Sequence, residues 1–76
     1  MEIRLRLFAG LRQVAGFKEK SITLPEGAVV ADLLEQLPAS IAGRTFYIAV
    51  NEEYAQRDTH LNEGDLVALL PPVSGG

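Results

Sequence analysis

The sequence contains no cysteine, and this single absence excludes several kinds of chemistry. Disulfide bonds, thiolate metal sites, persulfides and cysteine nucleophiles all require a cysteine sulfur atom. The fold must therefore be held together without disulfides. Any sulfur chemistry that involves this chain must use another chemical group.

Positive charge is scarce as well. Seven lysine and arginine residues stand against ten aspartate and glutamate residues, which gives a net charge of -3. Nucleic acids and anionic membrane surfaces are bound by positive fields, and Arg4, Arg6 and Arg12 are too few to form a strong patch. We expect no nucleic-acid partner and no membrane partner, and a basic protein surface fits this charge better.

Long apolar runs are also missing. No run approaches the ~20 residues that a membrane-spanning helix requires. The first eight residues carry Glu2, Arg4 and Arg6, which is not the pattern of a secretory signal peptide. We therefore expect the chain to be located in the cytoplasm.

The residues of a conventional active site are few. His60 is the only histidine, and without cysteine it would need several carboxylates to hold a metal ion. A turn or surface histidine is the better interpretation, and the Glu52-Glu53 pair is more typical of a solvated turn than of acid–base catalysis. Gly10 and Gly16 are too widely spaced for a phosphate loop. We expect no metal, no intrinsically bound cofactor and no complete active site in this chain alone.

The residues that are present indicate one folded domain. The chain has 76 residues, of which 47% are hydrophobic, and the charged residues are interspersed among them. A chain of this length buries about 60% of its unfolded surface, which suffices for one small core and leaves little room for a closed cavity. We predict a domain over residues 1–70, followed by a flexible reactive tail over residues 71–76.

Alternation of apolar and polar side chains predicts the first strand at residues 3–8. Ile3, Leu5 and Leu7 share one face of this strand. Phe8 belongs to the opposite set, together with the arginines at positions 4 and 6. The strand is therefore expected to be buried on one face only.

A second strand is predicted at residues 18–24, where it ends before Pro25. Residues 9–17 between the two strands are predicted to form a loop or short turn. The first two strands are therefore expected to form a hairpin.

Helical spacing of apolar residues follows the turn at residues 25–27. The residues with this spacing are Val30, Leu33, Leu34, Leu37 and Ile41. Pro38 limits the regular helix to about three turns. We predict one main helix with a single apolar stripe.

The rest of the chain is predicted to complete a mixed sheet. The remaining elements are a strand at residues 46–50, a short edge strand at 54–55, a single turn at 59–61, a tight turn at 62–65 and a last strand at 66–70. In the tight turn, Gly64 is expected to adopt a positive φ. The last strand is expected to pair beside the first, which gives an α+β fold with the helix across one face of the sheet. Every residue of the last strand is apolar, so its other face is expected to meet a partner.

The last six residues form an unusual tail. Pro71 and Pro72 have no N–H group for strand pairing, and their restricted φ favours an extended path that reaches about 18 to 20 Å. Gly75 and Gly76 have no Cβ, so a narrow channel admits them and a reagent approaches the terminal carboxylate freely. Gly76 is therefore the predicted reactive residue. A partner must first activate it, for example as an acyl-adenylate, because an unactivated carboxylate is a poor electrophile.

Several short segments together resemble a known family. They are Phe8-Ala9 with Arg12, Ala49-Val50-Asn51, Leu61 with Gly64-Asp65, Val67-Ala68 and the closing Pro-Pro-Val-Ser-Gly-Gly. In this combination the chain resembles the small, sulfur-carrying subunits of molybdopterin synthase, which are ubiquitin-like proteins. The similarity extends from the first strand to the last residue, and the tail and the Gly-Asp turn are its most specific parts.

The resemblance implies a ubiquitin-like β-grasp fold and a function. In that family an E1-like adenylating enzyme uses ATP to activate the terminal glycine, and sulfur delivered by a sulfur donor protein converts it to a thiocarboxylate. The tail then enters the large synthase subunit and donates its sulfur to a pterin precursor, which makes the dithiolene that binds molybdenum. The sulfur would be carried on Gly76, so the absence of cysteine fits this mechanism.

The same resemblance implies a docking face beside the tail. If the last strand has the register of ubiquitin, Val67 and Leu69 face the helix, whereas Ala68 and Leu70 face outward. The residues implied in partner binding are Phe8, Arg12, Tyr54, Ala68 and Leu70, together with Pro71, Pro72, Val73 and Ser74 of the tail.

Other functions remain open at this point. A sulfur carrier for thiamin biosynthesis or transfer-RNA thiolation also ends in Gly-Gly, although the Pro-Pro-Val-Ser stretch favours the molybdopterin pathway. A ubiquitin-like protein modifier would join Gly76 to a lysine of another protein. A plain interaction module would tolerate deletion of the tail.

Overall fold

The alternating segments of the sequence form five strands in this computed structural model, which describes residues 1–72. Three short helices accompany them in the described part of the chain. The elements are β1 (Glu2–Leu7), α1 (Ala9–Ala15), β2 (Glu19–Thr23), α2 (Val30–Leu34), α3 (Ala39–Ala42), β3 (Tyr47–Val50), β4 (Glu53–Tyr54) and β5 (Leu66–Leu70). The order of the strands along the chain is the predicted one.

The five strands form one mixed sheet in the order β2-β1-β5-β3-β4. β1 and β2 are antiparallel, with Ile3 opposite Ile22, so the predicted hairpin pairing is confirmed. β5 lies parallel to β1, with Leu5 opposite Val67, which confirms that the last strand pairs beside the first. β3 pairs antiparallel with both β5 and β4. The predicted α+β class with a mixed sheet is therefore correct.

The hydrophobic core lies between one face of the sheet and the helices. The most deeply buried side chains come from β1, β5, α2 and α3: Ile3, Leu5, Leu7, Val67, Leu69, Val30, Leu33 and Ile41. Because successive side chains of a strand point to opposite faces, Arg4, Arg6 and Ala68 lie on the outer face of the sheet. The register predicted for β5 is confirmed, with Val67 and Leu69 turned inward.

A helix follows β1, so the prediction of a loop or short turn at residues 9–17 was wrong. α1 ends at Gly16, whose φ of 86° is left-handed and whose N–H donates to the Arg12 carbonyl at 3.0 Å. Leu11 is only 3% exposed and packs into the core, which anchors the helix. Leu11 is the one buried residue of α1, and a helix of seven residues gives an apolar pattern too short to predict a helix from the sequence.

The predicted main helix, α2, is shorter than expected. It ends at Leu34 after five residues, instead of after about three turns. The N–H groups of Gln36 and Leu37 donate to carbonyls three residues back, at 2.9 and 3.2 Å, so the chain tightens before Pro38. A residue before proline is biased away from helical geometry, which explains the early end. Ile41 is buried as its spacing predicted, but it lies in α3.

Residues 59–61 form an extended bridge instead of the predicted single turn. Val29 and His60 pair as an isolated antiparallel bridge. The N–H of Val30 donates to the Thr59 carbonyl at 2.9 Å. The bridge depends on the segment that leads into α2, which is distant in sequence, so local turn residues do not reveal it.

The tight turn predicted at residues 62–65 is confirmed. Gly64 has a φ of 83°, and its N–H donates to the Glu2 carbonyl at 2.8 Å. The carboxylate of Asp65 accepts the N–H of Asn62 at 2.8 Å and closes the turn. The turn therefore fixes the start of β5 beside the start of β1.

Replacing Gly64 by alanine is expected to lower the free energy of unfolding by about 1 to 2 kcal/mol, because L-residues resist left-handed φ. An added Cβ meets nothing within 4 Å, so the cost is conformational. Gly10→Ala is a matched control, since its added Cβ is equally unobstructed but its φ is not positive and α1 favours alanine. Chemical denaturation of both variants should show opposite signs, and equal effects would contradict the explanation.

Candidate docking surface beside the tail

An apolar depression lies on the outer face of the sheet. It has a volume of about 250 Å³ and is lined by Phe8, Ala49, Glu52, Tyr54, Ala68 and Leu70. Four of these residues were predicted as a docking face, and the structure brings them together. Phe8 and Tyr54 are 39% and 81% exposed, and grouped exposure of large apolar side chains is typical of protein-binding surfaces.

The register of the sheet explains why these residues meet. Ala68 lies opposite Ala49 on β3, and Ala49 lies opposite Tyr54 on β4. Directly paired residues point to the same face, so all three face outward. Tyr47, which lies opposite Leu70, extends this face, and the ring centroids of Tyr47 and Tyr54 are 6.1 Å apart in an edge-to-face arrangement. The small alanines and the large aromatic rings therefore give the surface its concave shape.

Ala49 and Glu52 are site residues that the sequence interpretation missed. Ala49 alternates with Ile48 and Val50 along its strand, and this alternation was the available signal. Glu52 depends on the turn between β3 and β4, where Asn51 and Glu52 have left-handed φ values of 50° and 72°. The Asn51 side chain fixes this turn by accepting the Leu66 N–H at 3.0 Å and by donating to the Asp65 carboxylate at 2.9 Å. Sequence alternation does not reveal this geometry.

The tail begins at the edge of the apolar depression. Leu70 lines the depression and is also the last residue of β5, opposite Tyr47. Pro71 is half-buried and Pro72 is exposed, and neither has an N–H group that extends the strand. The other predicted tail residues, Val73, Ser74, Gly75 and Gly76, lie outside the described residues. A protein that covers the depression therefore also meets the start of the tail.

Arg12 lies on α1 and does not line the apolar depression. Arg12 is exposed, and its backbone carbonyl accepts the N–H of Gly16 at the end of the helix. α1 begins directly after Phe8, where Ala9 has a left-handed φ of 49°. Arg12 is therefore on a neighbouring surface, and its predicted contact with a partner stays a prediction.

A charged cluster occupies the outer face of β1 and β2. The Glu19 carboxylate accepts hydrogen bonds from the guanidinium groups of both Arg4 and Arg6, with Arg6 Nε at 3.0 Å from Glu19 Oε1. The hydrogen bond from Arg4 and then that from Arg6 hold the pKa of Glu19 below its ordinary value of 4.5. The cluster therefore contains two positive charges and one negative charge at neutral pH.

Glu19→Gln is expected to change how stability depends on pH. Because the folded-state pKa of Glu19 is lowered, its ionisation stabilises the fold above the unfolded value of 4.5, and this contribution is lost as the pH falls through the folded value. The difference in unfolding free energy between wild type and variant should be small but constant near neutral pH, and should shrink below 4.5. Denaturation curves from neutral pH to about pH 3 measure it. A difference that does not change with pH would contradict the assignment.

Metal sites and membrane-spanning helices are the other features that residues 1–72 could have provided. Within residues 1–72, no group of three or more histidine, aspartate or glutamate side chains is placed to hold a metal ion. His60 is exposed and is paired with Val29 through the backbone. No helix in this part of the chain is both long enough and apolar enough to cross a membrane.

Comparison with known proteins identifies related chains. The model of the ThiS family matches residues 5–76. The molybdopterin synthase sulfur carrier subunit of Chlamydomonas reinhardtii is 40% identical over 83 aligned residues, and the alignment covers 100% of both chains. Small archaeal modifier protein 3 of Haloferax volcanii is 34% identical over 92 residues, again across 100% of both chains.

A solved structure agrees with the fold. A Pyrococcus furiosus protein described as molybdopterin converting factor subunit 1 superposes with a TM-score of 0.87 at 35% identity, and the match covers 96% of this chain and 99% of that one. The mixed sheet and the solved structures that resemble it define a ubiquitin-like β-grasp protein, as predicted. Within that class, the chain belongs to the ThiS family. The resemblance to sulfur-carrying subunits is thereby confirmed.

Proposed function

We propose that this chain is a sulfur carrier subunit of molybdopterin synthase and that Gly76 carries the sulfur as a thiocarboxylate. The observation that carries the proposal is the position of the apolar depression, because Leu70 both lines it and directly precedes Pro71-Pro72. The Chlamydomonas relative that bears this name aligns over the full length of both chains. The surface that docks and the segment that reacts are therefore adjoining parts of one chain.

The proposed chemistry has three steps. An E1-like enzyme joins the Gly76 carboxylate to the AMP part of ATP, and pyrophosphate leaves. A sulfur donor protein then supplies sulfur at the oxidation level of sulfide, which attacks the acyl carbon, displaces AMP and leaves a thiocarboxylate. If the donor presents a persulfide, the attack gives an acyl disulfide, and a reducing thiol cleaves its S–S bond to release the thiocarboxylate. In the large synthase subunit the sulfur passes to a pterin precursor, and an oxygen from water restores the carboxylate. ATP is thus a substrate of the activating partner, and this chain needs no bound cofactor of its own.

The apolar depression supplies the binding energy in this proposal. Aromatic anchors such as Phe8 and Tyr54 contribute most strongly when a partner removes them from water. The anchored domain holds the tail nearby, and the tail spans about 18 to 20 Å when extended. The large subunit supplies the catalytic pocket, and this chain supplies the sulfur-donating tail. The proposed compartment is the cytoplasm, because a chain without disulfides requires no oxidising environment.

A protein modifier is a second candidate function. In that function, Gly76 forms an isopeptide bond with a lysine of another protein. The 34% identity to small archaeal modifier protein 3 favours this candidate. Carriers for thiamin biosynthesis or transfer-RNA thiolation share the chemistry up to the thiocarboxylate and differ in the acceptor of the sulfur.

A reconstituted transfer assay tests the proposed pathway. The chain is incubated with the E1-like enzyme, ATP and a sulfur donor, and then with the large synthase subunit and the pterin precursor. We expect molybdopterin to form only when every component is present. A thiocarboxylate that forms but is not used by the large subunit assigns the chain to another sulfur pathway. Heavier conjugates in cells that depend on Gly76, without sulfur transfer, would favour the modifier.

A further inference from the structure

The charged cluster and the apolar depression form one continuous surface on the outer face of the sheet. Arg6 on β1 lies directly opposite Ala68 on β5, and Ala68 lines the depression. Arg4 lies opposite Leu66 on the same face. A partner that covers Ala68 therefore lies next to Arg6 on the adjoining strand.

Glu19 holds the two guanidinium groups side by side. Arg6 Nε and Nη2 lie 3.0 and 2.9 Å from Glu19 Oε1, and Arg4 approaches Oε2 with its own Nε and Nη2. Each arginine thus uses one edge of its guanidinium group, and the hydrogen bonds of the described residues do not engage Nη1 of either side chain. The side chains of Arg4 and Arg6 are 53% and 34% exposed. The unused edges are therefore accessible to a second carboxylate.

The charges of the cluster favour such a second carboxylate. Two guanidinium groups face one carboxylate, so the cluster keeps an excess positive charge in a chain whose net charge is -3. Exposed ion pairs contribute little to folding stability, so stability alone gives little reason to place three charges on this face. Arginine forms paired hydrogen bonds with carboxylates, and these bonds strengthen when a partner excludes water.

We propose that Arg4 and Arg6 form a carboxylate-binding site of the docking surface, and that the protein covering the apolar depression places an aspartate or glutamate side chain there. Glu19 binds one edge of each guanidinium group, and its negative charge limits the binding of other anions. This inference rests on the proposed function in one respect, because the large synthase subunit is the partner that is tested. It extends that function by assigning the chemistry that the partner must present.

Arg6→Gln in the full chain tests the proposal. Its affinity for the large synthase subunit should fall about tenfold, and the salt dependence of binding should become less steep. Lys20→Gln is the matched control, because it removes the same charge from β2 on the opposite face, where Lys20 pairs with Leu5. Its affinity should stay close to that of wild type. Glu19→Gln should bind at least as tightly as wild type at low salt, since the excess positive charge rises.

The outcomes separate this inference from the proposed function. If wild type does not bind the large subunit at all, the proposed function fails. If wild type binds, Phe8→Asp weakens binding and Arg6→Gln behaves like Lys20→Gln, the carboxylate site is wrong and the docking surface stands. Binding of a single-stranded oligonucleotide at physiological salt that Arg6→Gln removes would also overturn the proposal, because the cluster would then select phosphate.

Discussion

Removal of Gly76 is expected to abolish sulfur transfer to the pterin precursor and to leave the domain folded. The proposed thiocarboxylate forms on the terminal carboxylate, and removal of Gly76 moves that group back by one residue, or about 3.4 Å of extended chain. A misplacement of this size prevents attack in a site that requires reacting atoms within about 3 to 3.5 Å. The buried residues of the described chain lie between Ile3 and Leu69, so the free energy of unfolding should not change. Product formation in the reconstituted assay measures the loss.

Two measurements control for trivial causes of that loss. Binding of the shortened chain to the large subunit should stay within a few-fold of wild type, because the apolar depression is intact. An added alanine after Gly76 should also abolish transfer, since it moves the carboxylate forward and places a methyl group beside it. Full transfer by either tail variant would end the proposed mechanism.

Phe8→Asp is expected to weaken binding of the large subunit by about a hundredfold, which is the loss typical of a central aromatic anchor. Phe8 lines the apolar depression, and the variant replaces its ring with a charge that docking would desolvate. The fold should tolerate the change, because Phe8 is 39% exposed and occupies the N-cap of α1, where aspartate is favoured. We expect the free energy of unfolding to stay within about 1 kcal/mol of wild type.

Val14→Asp is the matched control for this prediction. Val14 lies on α1 and is 40% exposed, close to the exposure of Phe8, but it does not line the apolar depression. Calorimetric titration of the large subunit with wild type and both variants compares the affinities directly. Equal affinities for the Phe8 and Val14 variants would show that the depression is not the docking surface.

The faces of the first strand could be predicted because apolar and polar side chains alternate along it, which placed Leu5 in the core and Phe8 on the other face. The last strand is apolar throughout, so the faces of Leu69, Ala68 and Leu70 came from the resemblance to ubiquitin-like proteins. The alternation in the first strand also limits register, since a slip of one residue exchanges the two faces. The core side of the fold was therefore accessible from the sequence.

Elements that depend on distant contacts could not be predicted in the same way. α1 has Leu11 as its one buried residue, and α2 ends early because the chain tightens before Pro38. The position of Glu52 follows from the turn between β3 and β4, in which Asn51 and Glu52 have left-handed φ although neither is glycine. The Asn51 side chain fixes this turn to β5 by accepting the N–H of Leu66. α1 and the turn at Glu52 depend on contacts between segments that are separated in sequence, whereas the end of α2 depends on the nearby Pro38.

The charged cluster of Arg4, Arg6 and Glu19 could not be predicted from the sequence either, because it depends on how two strands pair. Composition indicated too few arginines for a strong basic patch, and this remains correct for the chain as a whole. Hairpin pairing nevertheless places Glu19 opposite Arg6, which is 13 residues away in sequence. A local positive excess beside an apolar surface becomes visible only when this register is known.

The most direct test of the proposed function is whether sulfur resides on Gly76. The intact chain, isolated from cells or incubated with the E1-like enzyme, ATP and a sulfur donor, is treated with a thiol-directed alkylating reagent and its mass is recorded. Mass gain without alkylation is ambiguous, because oxidation of Met1 adds almost the same mass as exchange of oxygen for sulfur. The absence of cysteine removes the usual site of labelling, so a label found on Gly76 identifies the predicted thiocarboxylate. No label in the presence of an active enzyme and donor would contradict the sulfur-carrier function.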